Sequence, residues 1–153
     1  MSSFPGSVYE RYLVSIFVEI DEGDTGLINV DQLHLALLSS ITYLRYRIIS
    51  QKTARMLMTV VDRERTGIIN MQQFFLLYRI VFVLWKSFRQ YDPNNSGWIR
   101  HGDLRAAMAC NRLQFTDYQL NEVLDYDNTR GWISLDHYLQ LCAMCILARL
   151  VTR

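Results

Sequence analysis

The chain alternates between apolar helical runs and short polar stretches, and the polar stretches share a pattern. Each contains a glycine that is followed two residues later by an isoleucine, and an apolar helical pattern follows each. Self-similar segments of this kind are typical of a repeated supersecondary unit, so we expect several copies of one helical motif. The pairs are Gly26 and Ile28, Gly67 and Ile69, Gly97 and Ile99, and Gly131 and Ile133.

The polar stretches have the spacing of a calcium-binding loop. Such a loop has about 12 residues, presents oxygen atoms at positions 1, 3, 5, 7, 9 and 12, and needs glycine at position 6, where φ is positive. The isoleucine falls at position 8, where we expect a short β-bridge to its counterpart in a paired loop. One match would be weak support, but four in register indicate EF-hands or their descendants. The loops are residues 21–32, 62–73, 92–103 and 126–137.

The repeat predicts an all-α fold of EF-hand helix–loop–helix units, with four hands in two packed pairs. Residues 71–90 contain no glycine or proline, so we expect one shared central helix there, about 30 Å long at about 1.5 Å per residue. Its apolar middle predicts burial. We divide the chain into a short N-terminal tail (1–8), hands one and two (9–80), and hands three and four with a C-terminal helix (81–153), forming one compact unit.

The third loop has the most complete set of candidate metal ligands. They are Asp92, Asn94 and Ser96 at positions 1, 3 and 5, the backbone carbonyl of Trp98 at position 7, and Asp103 at position 12. Aspartate is one methylene shorter than the usual bidentate glutamate, so it reaches an ion through a single oxygen. We therefore predict weak Ca²⁺ binding with tolerance of Mg²⁺, and no other cofactor.

The second loop is predicted to be a weaker metal site. Glutamine at position 12 is neutral and a poor bidentate ligand, and two arginines cancel the two acids of this loop. Its candidate ligands are Asp62, Glu64, Thr66, the Ile68 carbonyl and Gln73.

The first loop is the most acidic, but its acids stand at the wrong positions. Glycine occupies position 3 and glutamine position 12, so Asp24 could serve as a ligand only in an unusual register. The weak candidates here are Asp21, Asp24, Thr25 and Leu27.

The fourth loop is predicted to be a metal-free structural hand, because Tyr126, Arg130 and His137 stand at positions 1, 5 and 12. An EF-hand without its ligands can still fold and pair through its isoleucine. The alternative for the whole chain is therefore that the repeat is only a scaffold.

The amino-acid composition excludes some classes of protein. Of 153 residues, 50% are hydrophobic and 20% charged, with a net charge of +1. This balance excludes a large basic field for nucleic acid and leaves some apolar surface to cover. Cys110, Cys142 and Cys145 are too few for a disulfide framework. The last two share one helix face, where we expect buried small hydrophobes, with redox or metal chemistry as the alternative.

Two stretches resemble the penta-EF-hand family. Residues 77–108 (LYRIVFVLWKSFRQYDPNNSGWIRHGDLRAAM) look like its third-hand region, and residues 112–150 look like its degenerate fourth hand and the long helix that follows. The resemblance covers about residues 8–153. It implies a calcium-related regulatory protein, with the fold described above.

The family's fifth hand would begin where this sequence stops, after residues 142–153. In the family that hand pairs with the same hand of a second subunit. We therefore expect that the C-terminal helix folds back, docks on another chain as a homo- or heterodimer, or belongs to a shortened form. Leu147 and Leu150 are its candidate partner-binding residues.

Two functions remain open. The first is a regulatory adaptor that binds a protein or peptide partner in an apolar groove, modulated weakly by metal at the third hand. Candidate groove residues are Tyr78, Phe82, Trp85 and Met108, with core packing as their alternative role. The second is a calcium-independent structural subunit, as calpain-type small subunits are.

Other classes are disfavoured. Only three histidines are available as neutral-pH bases, and no nucleophile motif or cofactor fingerprint occurs, so we expect no enzyme. The arginines are scattered, so we expect no nucleic-acid partner. The N-terminus has no secretory signal pattern, which predicts a cytoplasmic protein, with peripheral, calcium-dependent membrane association as a further expectation.

Overall fold

A computed structural model describes residues 7–40, 48–124 and 130–151 of the protein. These residues form mainly α-helices, with very short strands inside the loops. The helices are α1 (Ser7–Ile20), α2 (Val30–Ser40), α3 (Gln51–Val61), α4 (Met71–Arg89), α5 (Leu104–Ala109), α6 (Asp117–Val123) and α7 (Leu135–Val151), with a 3-10 helix at His101–Asp103. The strands are β1 (Ile28–Asn29), β2 (Ile68–Ile69), β3 (Trp98–Arg100) and β4 (Trp132–Ser134). The all-α EF-hand prediction is confirmed.

The strands pair the hands through their isoleucines, as predicted. β1 and β2 are antiparallel with Ile28 opposite Ile69, and β3 and β4 are antiparallel with Ile99 opposite Ile133. All four side chains are buried. Since successive strand residues point to opposite faces, the isoleucines enter the core and their neighbours face outward.

Helix α4 connects the second hand to the third, as the absence of glycine and proline predicted. It runs from Met71 to Arg89 without a break. Lys86 and Arg89 lie in its last turn, where positive side chains interact favourably with the helix dipole. No helix in the described ranges is long and apolar enough to cross a membrane.

The chain divides into two compact units, Met1–Phe82 and Val83–Arg153. In the first unit, α2 contacts both α1 and α3. Its core contains Phe17, Phe74 and Tyr78, whose rings meet edge to face at 5.5 Å and 4.7 Å between successive centroids. The Tyr78 hydroxyl donates to the Ala36 carbonyl at 2.8 Å, so this buried polar group is satisfied.

In the second unit, α7 packs along α6 and continues directly from β4. Tyr138 is fully buried and its ring lies 5.2 Å from that of Phe88. Its hydroxyl hydrogen-bonds to Ser87 Oγ at 2.7 Å, and Asn111 Nδ2 donates to the same oxygen at 2.9 Å. Helix α7 thus packs against α6 of its own chain, and docking of its remaining surface on another chain stays a prediction.

Candidate metal centre

The position-1 aspartate organises each of the first three loops in the same way. In the third loop, Asp92 Oδ1 accepts from the Ser96 amide at 2.9 Å and the Ser96 hydroxyl at 2.7 Å, and Oδ2 accepts from the Gly97 amide at 2.8 Å. Asp21 and Asp62 receive the equivalent bonds in their own loops, at 2.7–3.1 Å. The loops are therefore folded around this carboxylate by hydrogen bonds of their own.

Positive φ angles at positions 4 and 6 give these loops their turn. Position 4 has φ of 49°, 56° and 53° at Asp24, Arg65 and Asn95, and the glycines at position 6 have φ of 79°, 80° and 90°. The amide of each glycine donates a hydrogen bond to the position-1 carboxylate. The turn therefore holds in place the carboxylate that would be an ion's first ligand. In the fourth hand, the positive φ adjoins the glycine, at Arg130 (53°) and Gly131 (88°).

These hydrogen bonds hold the pKa of two aspartates below the ordinary value. For Asp21, burial alone would raise the pKa, but bonds from Gly26 and Thr25 outweigh burial and lower it. Asp62 follows the same balance with Gly67 and Thr66, and the charge of Arg65 lowers its pKa further. Both carboxylates are therefore ionised at neutral pH, as a metal ligand must be.

The third loop differs from the others at position 9. Arg100 stands there, and its guanidinium lies 4.8 Å from the centre of the Trp132 ring. Arginine provides no side-chain cap for the helix that follows, so the chain continues as the 3-10 helix His101–Asp103 and α5 begins only at Leu104. Asp103, the predicted position-12 ligand, therefore lies in a 3-10 turn, whereas the other hands have α-helix at that position.

The remaining predicted ligands of the third loop lie at its surface. Asn94 and Ser96 are exposed, and the Trp98 carbonyl oxygen lies 3.2 Å from the Ser96 hydroxyl oxygen, whose proton goes to Asp92 at the shorter distance. Asp92 is buried and Asp103 half-buried. Within the described residues, no group of three or more His, Cys, Asp or Glu side chains gathers to hold a metal. An ion in this loop would rely on two carboxylates together with amide, hydroxyl and carbonyl oxygens.

The second loop brings its predicted ligands around one surface cleft of about 390 Å³. Gln73 is among them, but its side chain is engaged: Oε1 accepts from the Asn70 amide at 2.8 Å and Nε2 donates to the Val61 carbonyl at 3.1 Å. Position 12 is therefore used to close the loop. The cleft is lined by Leu27, Val61, Asp62, Arg63, Glu64, Thr66, Ile68, Asn70 and Gln73.

The first loop has the same register as the second, which separates Asp24 from the other ligands. Asp24 is exposed at position 4, and its amide donates to the Asp21 carbonyl at 3.0 Å. The unusual register that would make it a ligand does not occur. Thr25 Oγ1 lies 2.9 Å from Asp21 Oδ1 and 3.0 Å from the Leu27 carbonyl oxygen, so its one proton is shared between these two acceptors.

Gln32, which the sequence analysis noted only as a neutral residue at position 12, makes structural hydrogen bonds that the sequence analysis did not predict. It repeats the bonds of Gln73, accepting from the Asn29 amide at 2.8 Å and donating to the Ile20 carbonyl at 3.0 Å. Asparagine followed three residues later by glutamine is a capping-box pattern, and it could have pointed to both residues.

The fourth loop is described only from Arg130 onward, so its position 1, Tyr126, lies outside the described residues. Ser134 at position 9 caps α7 by accepting from the His137 amide at 3.1 Å. His137 therefore lies in the first turn of α7, and the metal-free character of this hand stays a prediction.

The candidate partner-binding residues fall into two groups. Tyr78 and Met108 are completely buried, so in this conformation they belong to the core, the alternative role expected for them. Phe82 and Trp85 on α4 are half-buried, and so are Leu147 and Leu150 near the end of α7.

The C-terminal cysteines are buried in α7, which confirms the hydrophobe prediction. Burial raises the pKa of the Cys145 thiol to about 11 and that of Cys142 further still. Neither thiol forms much thiolate at neutral pH, so neither is poised for redox or metal chemistry. Cys110 is exposed.

No family model matches the chain, but several known proteins are similar to most of its length. Human sorcin is 24% identical over 140 residues, covering 92% of this chain and 70% of sorcin. Peflin from Xenopus laevis is 27% identical over 131 residues, covering 84% of this chain and 45% of peflin. Human grancalcin is 25% identical over 120 residues, covering 78% and 55% respectively.

A solved structure supports the same fold. The homologue of programmed cell death 6 protein from Leishmania major Friedlin superposes with a TM-score of 0.63 at 24% identity, covering 99% of this chain and 85% of that one. Sorcin, peflin and grancalcin are calcium-binding regulatory proteins. The homologues of this chain are penta-EF-hand proteins.

Proposed function

We propose that the chain is a regulatory adaptor that binds a protein partner through an apolar surface and is modulated by a divalent metal at its third hand. The observation that carries the proposal is the chemistry at the two ends of the loops. The third loop alone has carboxylates at both position 1 and position 12, Asp92 and Asp103. Its backbone already has the positive φ angles at Asn95 and Gly97 that the turn requires.

The metal would bind weakly for two reasons. Asp103 is shorter than the usual glutamate and lies in a 3-10 turn, so coordination would have to reshape the start of α5. Coordination would also have to replace the hydrogen bond that the Ser96 hydroxyl donates to Asp92. We expect a dissociation constant for Ca²⁺ on the order of 10⁻⁴ to 10⁻³ M, with binding of Mg²⁺ as well.

The partner surface would draw on the half-buried apolar residues. Trp85 lies on α4 only seven residues before Asp92, so a change in the loop would reach the turn that carries this side chain. Leu147 and Leu150 extend the apolar surface of α7 toward its exposed end at Val151. A shift in helix angle on metal binding would uncover such residues.

The test is a titration of the full chain with Ca²⁺ and with Mg²⁺, followed by tryptophan fluorescence, since Trp98 lies within the loop. Asp92→Ala should weaken binding at least tenfold. Asp92→Asn keeps an acceptor for the Gly97 amide while removing the charge, and it should weaken binding while preserving the circular dichroism spectrum. Asp117→Ala is the matched control, because it removes an exposed carboxylate of the same unit outside the loop.

Unchanged binding by both Asp92 variants would reject the third loop as the metal site. The adaptor role is tested separately by the molar mass in solution and by binding of an apolar dye, with Ca²⁺ and with chelator. A gain of dye binding with metal supports an adaptor.

A calcium-independent structural subunit is the second candidate function. It is favoured by the internal hydrogen bonds that hold the first three loops together through their own carboxylates. A permanent oligomer whose mass and dye binding ignore Ca²⁺ would support this candidate over the adaptor.

A further inference from the structure

Hands one and two share a hydrogen-bonded arrangement that joins the helix before each loop to the helix after it. In hand one, Gln32 Nε2 donates to the carbonyl of Ile20, the last residue of α1, at 3.0 Å. In hand two, Gln73 Nε2 donates to the carbonyl of Val61, the last residue of α3, at 3.1 Å. Each bond spans twelve residues, from the end of the incoming helix to the first turn of the outgoing one.

The other end of each amide is fixed to the start of the outgoing helix. Gln32 Oε1 accepts from the Asn29 amide at 2.8 Å, and Asn29 Oδ1 accepts from the Gln32 amide at 2.9 Å. Gln73 and Asn70 have the same two bonds at 2.8 and 2.9 Å. Only one orientation of the amide satisfies both a backbone donor and a backbone acceptor, so the side chain is locked.

We infer that Gln32 and Gln73 are the residues that exclude calcium from hands one and two, because their amides perform the structural task of the ion. The glutamine clasp, meaning the side chain of Gln32 or Gln73 with its two backbone partners, connects the incoming and outgoing helices of its hand. In a calcium-loaded hand, a bidentate glutamate at position 12 makes that connection through the metal. This inference does not depend on metal binding by the third loop.

The chemistry of the amide explains the exclusion. A carboxamide has one oxygen and no charge, so it cannot ligate an ion through two oxygens, and its oxygen already accepts a bond from the helix start. Glutamate would reverse both properties. A carboxylate can ligate through two oxygens, but it cannot donate to the Ile20 or Val61 carbonyl and would repel it.

The test uses two replacements at one position in the full chain. Gln73→Met keeps the length of the side chain and removes both bonds, so it should lower the thermal midpoint by about 3–8 °C, with or without Ca²⁺. Gln73→Glu should lower the midpoint in chelator by a similar amount and recover it in about 1 mM Ca²⁺. Gln32→Met should have the same effect as Gln73→Met, and Gln32→Glu the same effect as Gln73→Glu.

Two controls separate the clasp from charge and capping. Gln72→Glu makes the same charge change one residue earlier, at an exposed position of the same turn, and should leave the midpoint and its response to Ca²⁺ unchanged. Gln119 forms a capping box with Thr116 in α6, so Gln119→Glu tests a glutamine of the same capping type outside the loops. It should not confer a response to Ca²⁺.

The result that overturns the inference is a wild-type midpoint for Gln73→Met, or a Gln73→Glu variant whose midpoint ignores Ca²⁺. Amide NMR of the wild-type chain gives a second readout that needs no variant. The Gly26 and Gly67 amide signals should stay in place as Ca²⁺ rises, and a shift of either would overturn the inference. The Gly97 signal reports on the third loop alone, so failure of the proposed function is seen separately.

Discussion

The loops of hands one and two and the loop of hand three begin alike and end differently. In all three, the position-1 aspartate accepts bonds from the residues at positions 5 and 6. At position 9, however, the first two loops have a capping asparagine and the third has Arg100. The outgoing helices of hands one and two therefore begin at position 10, at Val30 and Met71, whereas α5 begins after position 12.

This difference separates two tasks that an EF-hand loop usually performs together. A loop has to make its sharp turn, and it has to join the two helices that flank it. Hydrogen bonds to the first aspartate hold the turn in all three loops. The helix connection is made by an amide in hands one and two, and in hand three the residue at that position is a carboxylate, Asp103. Among these three loops, the one with a carboxylate at position 12 is therefore the loop at which we propose that a divalent metal acts.

The largest expected effect tests what the two units have in common, the isoleucine pairing. Ile69→Ala and Ile133→Ala each remove a fully buried side chain from the bridge between two hands. Each should lower the free energy of unfolding by about 3 kcal/mol, from lost burial and the cavity that remains. Urea unfolding measures it.

Ile68→Ala is the matched control, because it makes the same change on the outward face of the same strand, where Ile68 is 38% exposed. This variant should lower the free energy of unfolding by less than about 1 kcal/mol. If Ile69→Ala and Ile133→Ala differed from each other by more than that, the two pairs of hands would not be equivalent scaffolds.

The next effect sharpens the difference at position 12. Asp103→Glu supplies the longer carboxylate that ligates through two oxygens, so Ca²⁺ affinity at the third loop should rise about tenfold, or about 1.4 kcal/mol. Calorimetric titration measures it. No gain would mean that the 3-10 turn at His101–Asp103, and not side-chain length, limits binding.

Arg100→Asn is the companion variant, since it places at position 9 the residue that hands one and two have there. It should move the start of α5 toward position 10, and helical amide shifts at Gly102 would show this. An unchanged 3-10 turn would contradict the capping explanation.

The fold could be predicted from the sequence because its signals are local and repeated. Backbone geometry requires glycine at position 6, and strand pairing requires isoleucine at position 8. The same two residues therefore mark each of the four hands. The central helix followed from a run without glycine or proline. The C-terminal helix was ambiguous, because the sequence of α7 shows that it is apolar but does not show which element covers it.

The chemistry of the loops was harder to predict, because it depends on which backbone groups each side chain bonds to in the folded chain. From the sequence, Gln73 is predicted to be a poor ligand because its amide is neutral. Its bond to Val61 twelve residues away becomes visible only in three dimensions. Likewise, Tyr78 and Met108 are residue types that are common in binding grooves. Only the packing in the structure shows that they are buried.

The smallest expected effect is a pH dependence that belongs to hands one and two. The pKa of Asp62 is lower in the folded chain than in the unfolded chain, where it is about 3.9. The folded state therefore binds fewer protons near pH 4, and the stabilisation is present above that pH and is lost as the pH falls through the folded pKa. Asp21 should add to this in the same direction.

Urea unfolding between pH 6 and pH 3 should show the effect as a steeper loss of stability in the wild type than in Asp62→Asn, which cannot titrate. Thr66→Val removes one of the three donors to the carboxylate, the hydroxyl at 3.0 Å, and leaves the two backbone amides. Its pH slope should therefore lie between the other two. If the slopes of wild type and Asp62→Asn coincided, the loop's hydrogen bonds would not be stabilising the ionised carboxylate, and the turn would have to be held by its backbone angles alone.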